Sequence, residues 1–283
     1  MKINITGLGF VGSAMFQCFR ERCININNII VTGYDKYKKQ NDKDEGIGVI
    51  TDMLDADIVF TALPTPYNAN TKSYDLTPIH DVCAYLADNS YNGCVVVKST
   101  VEPQTCDILA DKYGLNIVHN PEFLSAKTAY DDFNNQSHIV LGKTVSCGDN
   151  YYNAVCELYS RLWPNAVISR CTAVESECCK LYCNSFYAVK IQYFNELYAH
   201  AQSQGADYNT VRDMMVRNGW INPMHTNVPG SDGRFSYGGM CFVKDTTALY
   251  QCMERAGTPS MVLDATITER NKMRDDHDNI ITK

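Results

Sequence analysis

A glycine-rich turn after the first strand, strand–helix alternation to about residue 171, and an uninterrupted helical stretch beyond it together predict the architecture. It is an α/β Rossmann-type dinucleotide-binding domain over residues 1–171, followed by an all-α domain with a long central helix over residues 172–283.

The 283 residues are 45% hydrophobic, enough for one large or two moderate domains. A net charge of −7 without any basic block argues against a nucleic-acid partner. No apolar run approaches the ~18 residues that a membrane span needs. Residues 1–5 enter a strand at once, which leaves no room for a leader sequence. The 13 cysteines form no Cys-x-x-Cys pair, so they read as reduced thiols rather than a disulfide framework or a metal site. The expectation is a soluble cytoplasmic protein with no metal, membrane or nucleic-acid partner.

Residues 2–6 alternate as a short strand. Gly7, Gly9 and Gly12 then lead into a helix through about Arg22. That spacing permits a tight turn, close approach of a pyrophosphate and close helix–strand packing. Phe10 and Val11 fill the intervening positions, at the helix N-terminus that faces the phosphates. A second strand over 29–33 ends at Tyr34 and Asp35. An acidic side chain about 20 residues past the last glycine accepts from a ribose 2′-hydroxyl and repels a 2′-phosphate. NAD is therefore the expected cofactor, and NADP is disfavoured even though Lys36, Lys38 and Lys39 follow. An ordinary glycine turn is the alternative, and it does not account for the strand, helix and Asp35 around it.

Between Lys36 and Asp55 the chain is short and polar, where a full-sized unit of this kind has another helix and strand. Strands recur at 58–63, 95–98, 116–119 and 138–142, with helices at 76–88, 105–113 and 150–162. This alternation implies right-handed crossovers and a mostly parallel sheet, with ligand contacts just after the strand C-termini. Those exits carry Thr65 between Pro64 and Pro66, Thr100 between Ser99 and Val101, and Glu122 after Asn120 and Pro121. Turn chemistry explains the prolines without requiring Thr65, Thr100 or Glu122.

From 174 to about 204 there is neither Gly nor Pro, and Val174, Cys178, Leu181, Ser185 and Val189 recur at helical spacing. One long helix results, with Thr172 as its N-cap and Gly205 as its stop. Lys180 and Asn184 share a face of it; taken alone, the pair reads equally as a solvated flank. Tyr182, Phe186, Tyr187, Tyr193 and Phe194 give this helix more aromatic surface than a small helical domain buries, so a homodimer across it is expected. Further helices at 208–217, 244–256 and 259–274 are interrupted by a glycine-rich loop over 220–239.

The chemistry is expected at 235–245. Cys241 comes soon after Gly238 and Gly239, where backbone can approach a ligand with no Cβ in the way. Lys244 and Asp245 follow, one turn away if a helix begins near Phe242. A helix N-terminus and a nearby ammonium lower a cysteine pKa from about 8.5 toward neutrality, and the thiolate is the nucleophile. The plain alternative is a small buried apolar side chain beside a flexible turn.

Six segments, in order, resemble the UDP-glucose/GDP-mannose dehydrogenase family. They are the turn from Gly7 to Gly12; Leu63 to Pro66; Lys98 to Val101; Asn120 to Leu124; Glu177 with Lys180 and Asn184; and Gly238 with Gly239, Cys241, Phe242, Lys244 and Asp245. Together they span nearly the whole chain. The resemblance implies an NAD-dependent enzyme that oxidises a nucleotide-sugar hydroxymethyl group twice, to a carboxylate. It implies Cys241 as the nucleophile that forms a thiohemiacetal and then a thioester, with Lys180 and Asn184 stabilising the oxyanion. Asp245 and Thr100 would hold a water that exchanges protons with the substrate oxygen, and Glu122 would be the base for hydrolysis. By the same likeness Thr65, Thr100 and Lys244 line the cofactor, while Glu122, Phe123, Leu124, Lys180, Asn184 and Gly238 line the sugar nucleotide.

The chain departs from the family pattern in three ways. Ala126 stands where the family has a second glutamate, and the Asp35 to Asp55 connection is short. Family members also carry a further C-terminal α/β domain that grips the nucleotide; the expectation is that another polypeptide supplies it, that the substrate differs, or that double oxidation is lost. Two other readings use the same residues. A single-step β-hydroxyacid dehydrogenase employs a lysine with an asparagine four residues on, as Lys180 and Asn184 are, but needs no thiolate. A non-catalytic NAD-binding subunit needs none of the catalytic set.

Overall fold

The computed structural model describes residues 1–24, 28–39, 46–125 and 127–276. Ala126 and part of the short connection before Asp55 lie outside the described residues. The chain forms two compact units, Met1–Thr65 with Asp75–Lys180, and Pro66–Tyr74 with Leu181–Lys283.

The first unit opens with β1 (Lys2–Thr6), α1 (Phe10–Cys23), β2 (Ile30–Tyr34) and β3 (Ile58–Thr61). A small hairpin of β4 (Tyr67–Asn68) and β5 (Ser73–Tyr74) then belongs to the second unit. The first unit resumes with α2 (Thr77–Asp88), β6 (Cys94–Val97), α3 (Thr105–Tyr113) and β7 (Asn116–His119). It continues through α4 (Ala129–Asn134), β8 (His138–Lys143), α5 (Asp149–Leu162) and β9 (Val167–Thr172). Seven strands form one sheet in the order β2-β1-β3-β6-β7-β8-β9. Neighbours are parallel except β7 and β8.

The hairpin strands, α4 and β9 escape the sequence pattern for physical reasons. The two-residue strands of the hairpin and the six-residue α4 are too short to show a period. Strand β9 lies at the sheet edge, so its Ser169 and Arg170 break the apolar run that marks a central strand.

Strands covered on both faces read as continuous apolar runs, and β3 and β6 are buried throughout. On one face Ile3, Ile5 and Phe60 pack with Met15 and Phe19 of α1 and with Tyr159 and Trp163. The Phe19 ring lies 5.2 Å from Phe60 and 5.5 Å from Trp163, which anchors α1 against the sheet. On the other face Val59, Val95 and Val97 meet Ile79 and Leu86 of α2 and Leu109 of α3. Each such side chain contributes about 1.5–3 kcal/mol by leaving water. Strand order reverses at β1, between β2 and β3, and ligands of open α/β sheets bind at such a reversal, outside the strand C-termini.

Helix α6 (Ala173–Ser203) runs from the first unit into the second. Thr172 caps it as expected: the Glu175 amide donates to Thr172 Oγ1 at 3.3 Å, and the Glu175 carboxylate accepts from the Thr172 amide at 2.8 Å. Gly205, with φ of +69°, follows its end. The second unit adds α7 (Tyr208–Arg217), α8 (Met240–Ala256) and α9 (Met261–Met273). Phe194, Ala201, Tyr208 and Val228 form a core there. Of the five aromatic side chains expected to crowd α6, Phe194 is therefore buried. Tyr182, Phe186 and Tyr193 remain 54%, 61% and 54% exposed.

Candidate active site

The dinucleotide turn is built by contact. Gly7 has φ of +87°, and a Cβ there would stand 2.5 Å from the Ala62 carbonyl oxygen at the exit of β3. A Cβ on Gly12 would stand 1.8 Å from the Gly7 carbonyl oxygen, so α1 can pack this closely only through glycine. A Cβ on Gly9 would meet no described atom within 4 Å, which leaves that position open for a ligand to approach. Phe10 and Val11 form the first turn of α1, whose amides have no partner within the helix. No acidic residue occupies that turn.

Asp35 is tied to the same turn. Its Oδ2 accepts from the Leu8 amide at 2.7 Å and its Oδ1 from the Tyr37 amide at 2.8 Å. Each oxygen keeps a second lone pair for a ribose hydroxyl. The β3 and β6 exits are laced together: Thr65 donates to the Thr100 carbonyl at 2.8 Å, and Ser99 donates to the Leu63 carbonyl at 2.7 Å. Both Thr65 and Thr100 are buried.

Beneath the 120–124 segment lies a polar network. The Lys98 ammonium donates to Asn120 Oδ1 at 2.9 Å, Asn120 donates to the Val140 carbonyl at 2.8 Å, and the Tyr159 phenol also donates to Asn120 Oδ1. Burial pushes Lys98 down to about 7, with Glu122 acting to raise it and Lys180 to lower it. Burial likewise pushes His119 down to about 3, so it is a neutral partner of Ser176 Oγ at 2.8 Å. Lys180 donates to the Glu122 carbonyl and lies 3.4 Å from its carboxylate, with its ammonium 5.0 Å from the centre of the Phe123 ring. The other carboxylate oxygen of Glu122 accepts from the Leu124 amide at 2.6 Å. Phe123 is exposed and Leu124 half-buried. Glu177, fully buried one turn before Lys180, accepts from the Gln104 and Cys106 amides at 2.7 Å each and so holds α6 to the start of α3. Burial pushes its carboxyl up to about 7.

In the second unit, Asp245 of α8 is fully buried among donors. Asn184 Nδ2 donates to its Oδ2 at 2.6 Å, the Tyr74 phenol donates to Oδ1 at 2.5 Å, and Lys244 pairs with the same oxygen. The expected ammonium neighbour of the cysteine thus lies on a carboxylate. Helix α8 begins at Met240 rather than near Phe242, which places Cys241 inside the first turn. Gly239 precedes it with φ of +74°, a conformation that a side chain disfavours. Cys241 is exposed, whereas Asp245 one turn later is not.

The loop before α8 is pinned by arginines. Arg270 is buried and donates to the Tyr237 carbonyl at 3.1 Å, and Arg274 bonds Asp232 at 2.8 Å. A Cβ on Gly238 would stand 2.3 Å from the Arg274 guanidinium. Gly238 therefore packs against an arginine, a neighbour that its place in the motif does not announce. Lys98, Tyr74 and Arg274 are the polar residues that sequence reasoning passed over. Lys98 stood inside a quoted motif, whereas Tyr74 meets a partner 171 positions away and left no local signal.

Among the described residues no group of His, Cys, Asp or Glu could hold a metal ion, and no helix is long and apolar enough to cross a membrane. Residues 29–163 match the NAD binding domain of the UDP-glucose/GDP-mannose dehydrogenase family, and residues 174–272 match its central domain. UDP-glucose 6-dehydrogenase AglM of Haloferax volcanii is 28% identical over 311 residues, covering 94% of this chain and 69% of that relative. UDP-glucose 6-dehydrogenase TuaD of Bacillus subtilis is 28% identical over 305 residues, covering 96% of this chain and 63% of that relative. A solved UDP-glucose dehydrogenase from Pyrobaculum islandicum shares the fold with a TM-score of 0.80 at 22% identity, over 96% of this chain and 68% of that one. The chain thus spans between 63% and 69% of the length of these three proteins.

Proposed function

Because the chain belongs to the UDP-glucose/GDP-mannose dehydrogenase family, we propose that it is an NAD-dependent oxidoreductase that converts a nucleotide-sugar hydroxymethyl group to a carboxylate. The observation that carries this reading is Cys241 in the first turn of α8, exposed, with Asp245 buried one turn on. A one-step alcohol dehydrogenase has no use for that thiol.

The glycine cradle, the free amides at the start of α1 and Asp35 fit a dinucleotide without a 2′-phosphate, and Thr65, Thr100 and Lys244 complete its proposed contacts. When bound, NAD⁺ would supply the hydride acceptor, one NAD⁺ for each of the two oxidations. The protein's residues manage the protons and the carbon centre. Asp245, with Thr100, holds the water that takes the alcohol proton. The Cys241 thiolate adds to the aldehyde carbon, and the oxyanion so formed is stabilised by Lys180 and Asn184, at about 3 kcal/mol per well-placed donor. Oxidation of this thiohemiacetal leaves a thioester. Glu122 takes a proton from the water that attacks the thioester, releasing the carboxylate and restoring the thiol. Phe123, Leu124 and Gly238 border the sugar.

The direct experiment is NADH formation from UDP-glucose and GDP-mannose, with NAD⁺ and NADP⁺ compared. Two NADH per carboxylate with a preference for NAD⁺ is the expected result. One NADH per substrate would replace this reading with a β-hydroxyacid type of chemistry.

We further propose that the chain is a homodimer through α6. Tyr182, Phe186 and Tyr193 follow one stripe of that helix and are each more than half exposed. Light scattering at micromolar concentration is expected to give about twice the 31.8 kDa chain mass. Tyr182→Lys with Phe186→Glu is expected to halve it, and a monomeric wild type would remove the proposal.

A further inference from the structure

The hairpin β4–β5 is spliced between two elements of the first unit yet packs in the second. Its register pairs Tyr67 with Tyr74 and Asn68 with Ser73, and the two tyrosine rings meet edge to face at 6.5 Å. Arg255 of α8 donates to the Lys72 carbonyl at 2.8 Å, which ties the hairpin turn to the same helix. Tyr74 is only 5% exposed. Its hydroxyl donates to Asp245 Oδ1 at 2.5 Å, and the Lys244 ammonium sits 4.6 Å from the centre of its ring.

From this geometry we propose that Tyr74 is a positioning residue for the oxidation: its phenol fixes the orientation of the Asp245 carboxylate, and its ring seats Lys244. The inference rests on the dehydrogenase reading given above. A carboxylate with two oxygens can rotate about its terminal bond, so donors on both oxygens are needed to hold one orientation. Asn184 holds Oδ2 at 2.6 Å, and Tyr74 and Lys244 hold Oδ1. Lysine is a flexible point charge that tolerates many angles, whereas the phenol is locked by the hairpin and defines one. The ring adds a cation–π contact that keeps the ammonium on this side of the carboxylate.

A hydrogen bond to a charged group is worth about 10- to 100-fold in an equilibrium or rate. Tyr74→Phe retains the ring and removes the hydroxyl that donates to Asp245. In the full chain, with NAD⁺ and whichever of UDP-glucose and GDP-mannose is turned over, it is expected to lower kcat by about 10- to 100-fold. The KM for NAD⁺ should stay at its wild-type value, and the melting temperature should fall by no more than the loss of one buried hydrogen bond accounts for. Asp245→Asn removes the carboxylate that Tyr74 serves, so the Tyr74→Phe, Asp245→Asn double variant should be no slower than Asp245→Asn alone. Ser73→Ala, in the same hairpin, should keep full kcat.

Full kcat in Tyr74→Phe overturns the proposal, as do losses that multiply in the double variant. A Tyr74→Phe chain that is unfolded at the assay temperature, or that loses NAD⁺ affinity, assigns the phenol to stability, which also overturns it. A wild type inactive with both sugar nucleotides instead overturns the dehydrogenase reading, and any catalytic role of Tyr74 falls with it.

Discussion

Cys241→Ser is expected to lower carboxylate formation by on the order of 10³-fold or more while leaving NAD⁺ affinity unchanged. The substitution swaps one atom at an exposed position in the first turn of α8, so folding has no reason to suffer. The chemistry does, because a serine alkoxide is far harder to form at neutral pH than a thiolate with an ordinary pKa of about 8.5. The first oxidation needs no nucleophile and continues, so NADH per substrate falls from two toward one. Glu122→Gln marks the other end of the sequence. Its thiol still adds and is still oxidised, but no base activates the hydrolytic water. NADH should then appear as a burst of about two per chain, with a mass increase on Cys241. Rapid-mixing absorbance and intact-protein mass spectrometry measure both. Wild-type carboxylate formation by Cys241→Ser would dismiss the covalent route.

Gly12→Ala is expected to destabilise the first unit by about 2–4 kcal/mol and to weaken NAD⁺ binding by on the order of 100-fold. The added Cβ would lie 1.8 Å from the Gly7 carbonyl oxygen, and both partners are backbone, so neither can swing aside. Helix α1 must retreat from the turn, although Phe19 holds it against Phe60 and Trp163. Gly9→Ala separates binding from stability. Its φ of −68° suits alanine and its Cβ would meet no described atom. Melting should stay within about 0.5 kcal/mol of wild type, as for an unhindered surface change. Affinity for NAD⁺ should still fall, because the new methyl occupies the approach to the turn. Unchanged melting in Gly12→Ala, or unchanged NAD⁺ titration by calorimetry in Gly9→Ala, would count against this assignment of the cradle.

Local physics made much of the protein legible. Glycines at 7 and 12 announce a turn because only their lack of Cβ permits it, and the contact distances bear that reason out. Strands buried on both faces must be apolar throughout, so β3 and β6 stood out from composition alone. The absence of Gly and Pro from 174 onward fixed the extent of α6, and its cap and stop were chemically marked by Thr172 and Gly205.

Contacts between distant segments were a different matter. The two residues of helix before Phe242 were invisible because Gly238 and Gly239 ahead of them carry no helical period, yet they decide that Cys241 lies within the first turn of α8. Lys244 suggested itself by spacing as a neighbour of the thiol, while its packing on Asp245 and the Tyr74 ring could not be read from spacing. Spacing along a helix states which side chains share a face, not which distant groups arrive to meet them. The residue types of the candidate site, and the order of the strands' apolar runs, were therefore determined by the sequence itself. The partners of Asp245, the arginine against Gly238 and the hairpin that brings Tyr74 to α8 were decided only by tertiary structure. Each of these joins positions whose separation is set by folding rather than by the local geometry of the chain.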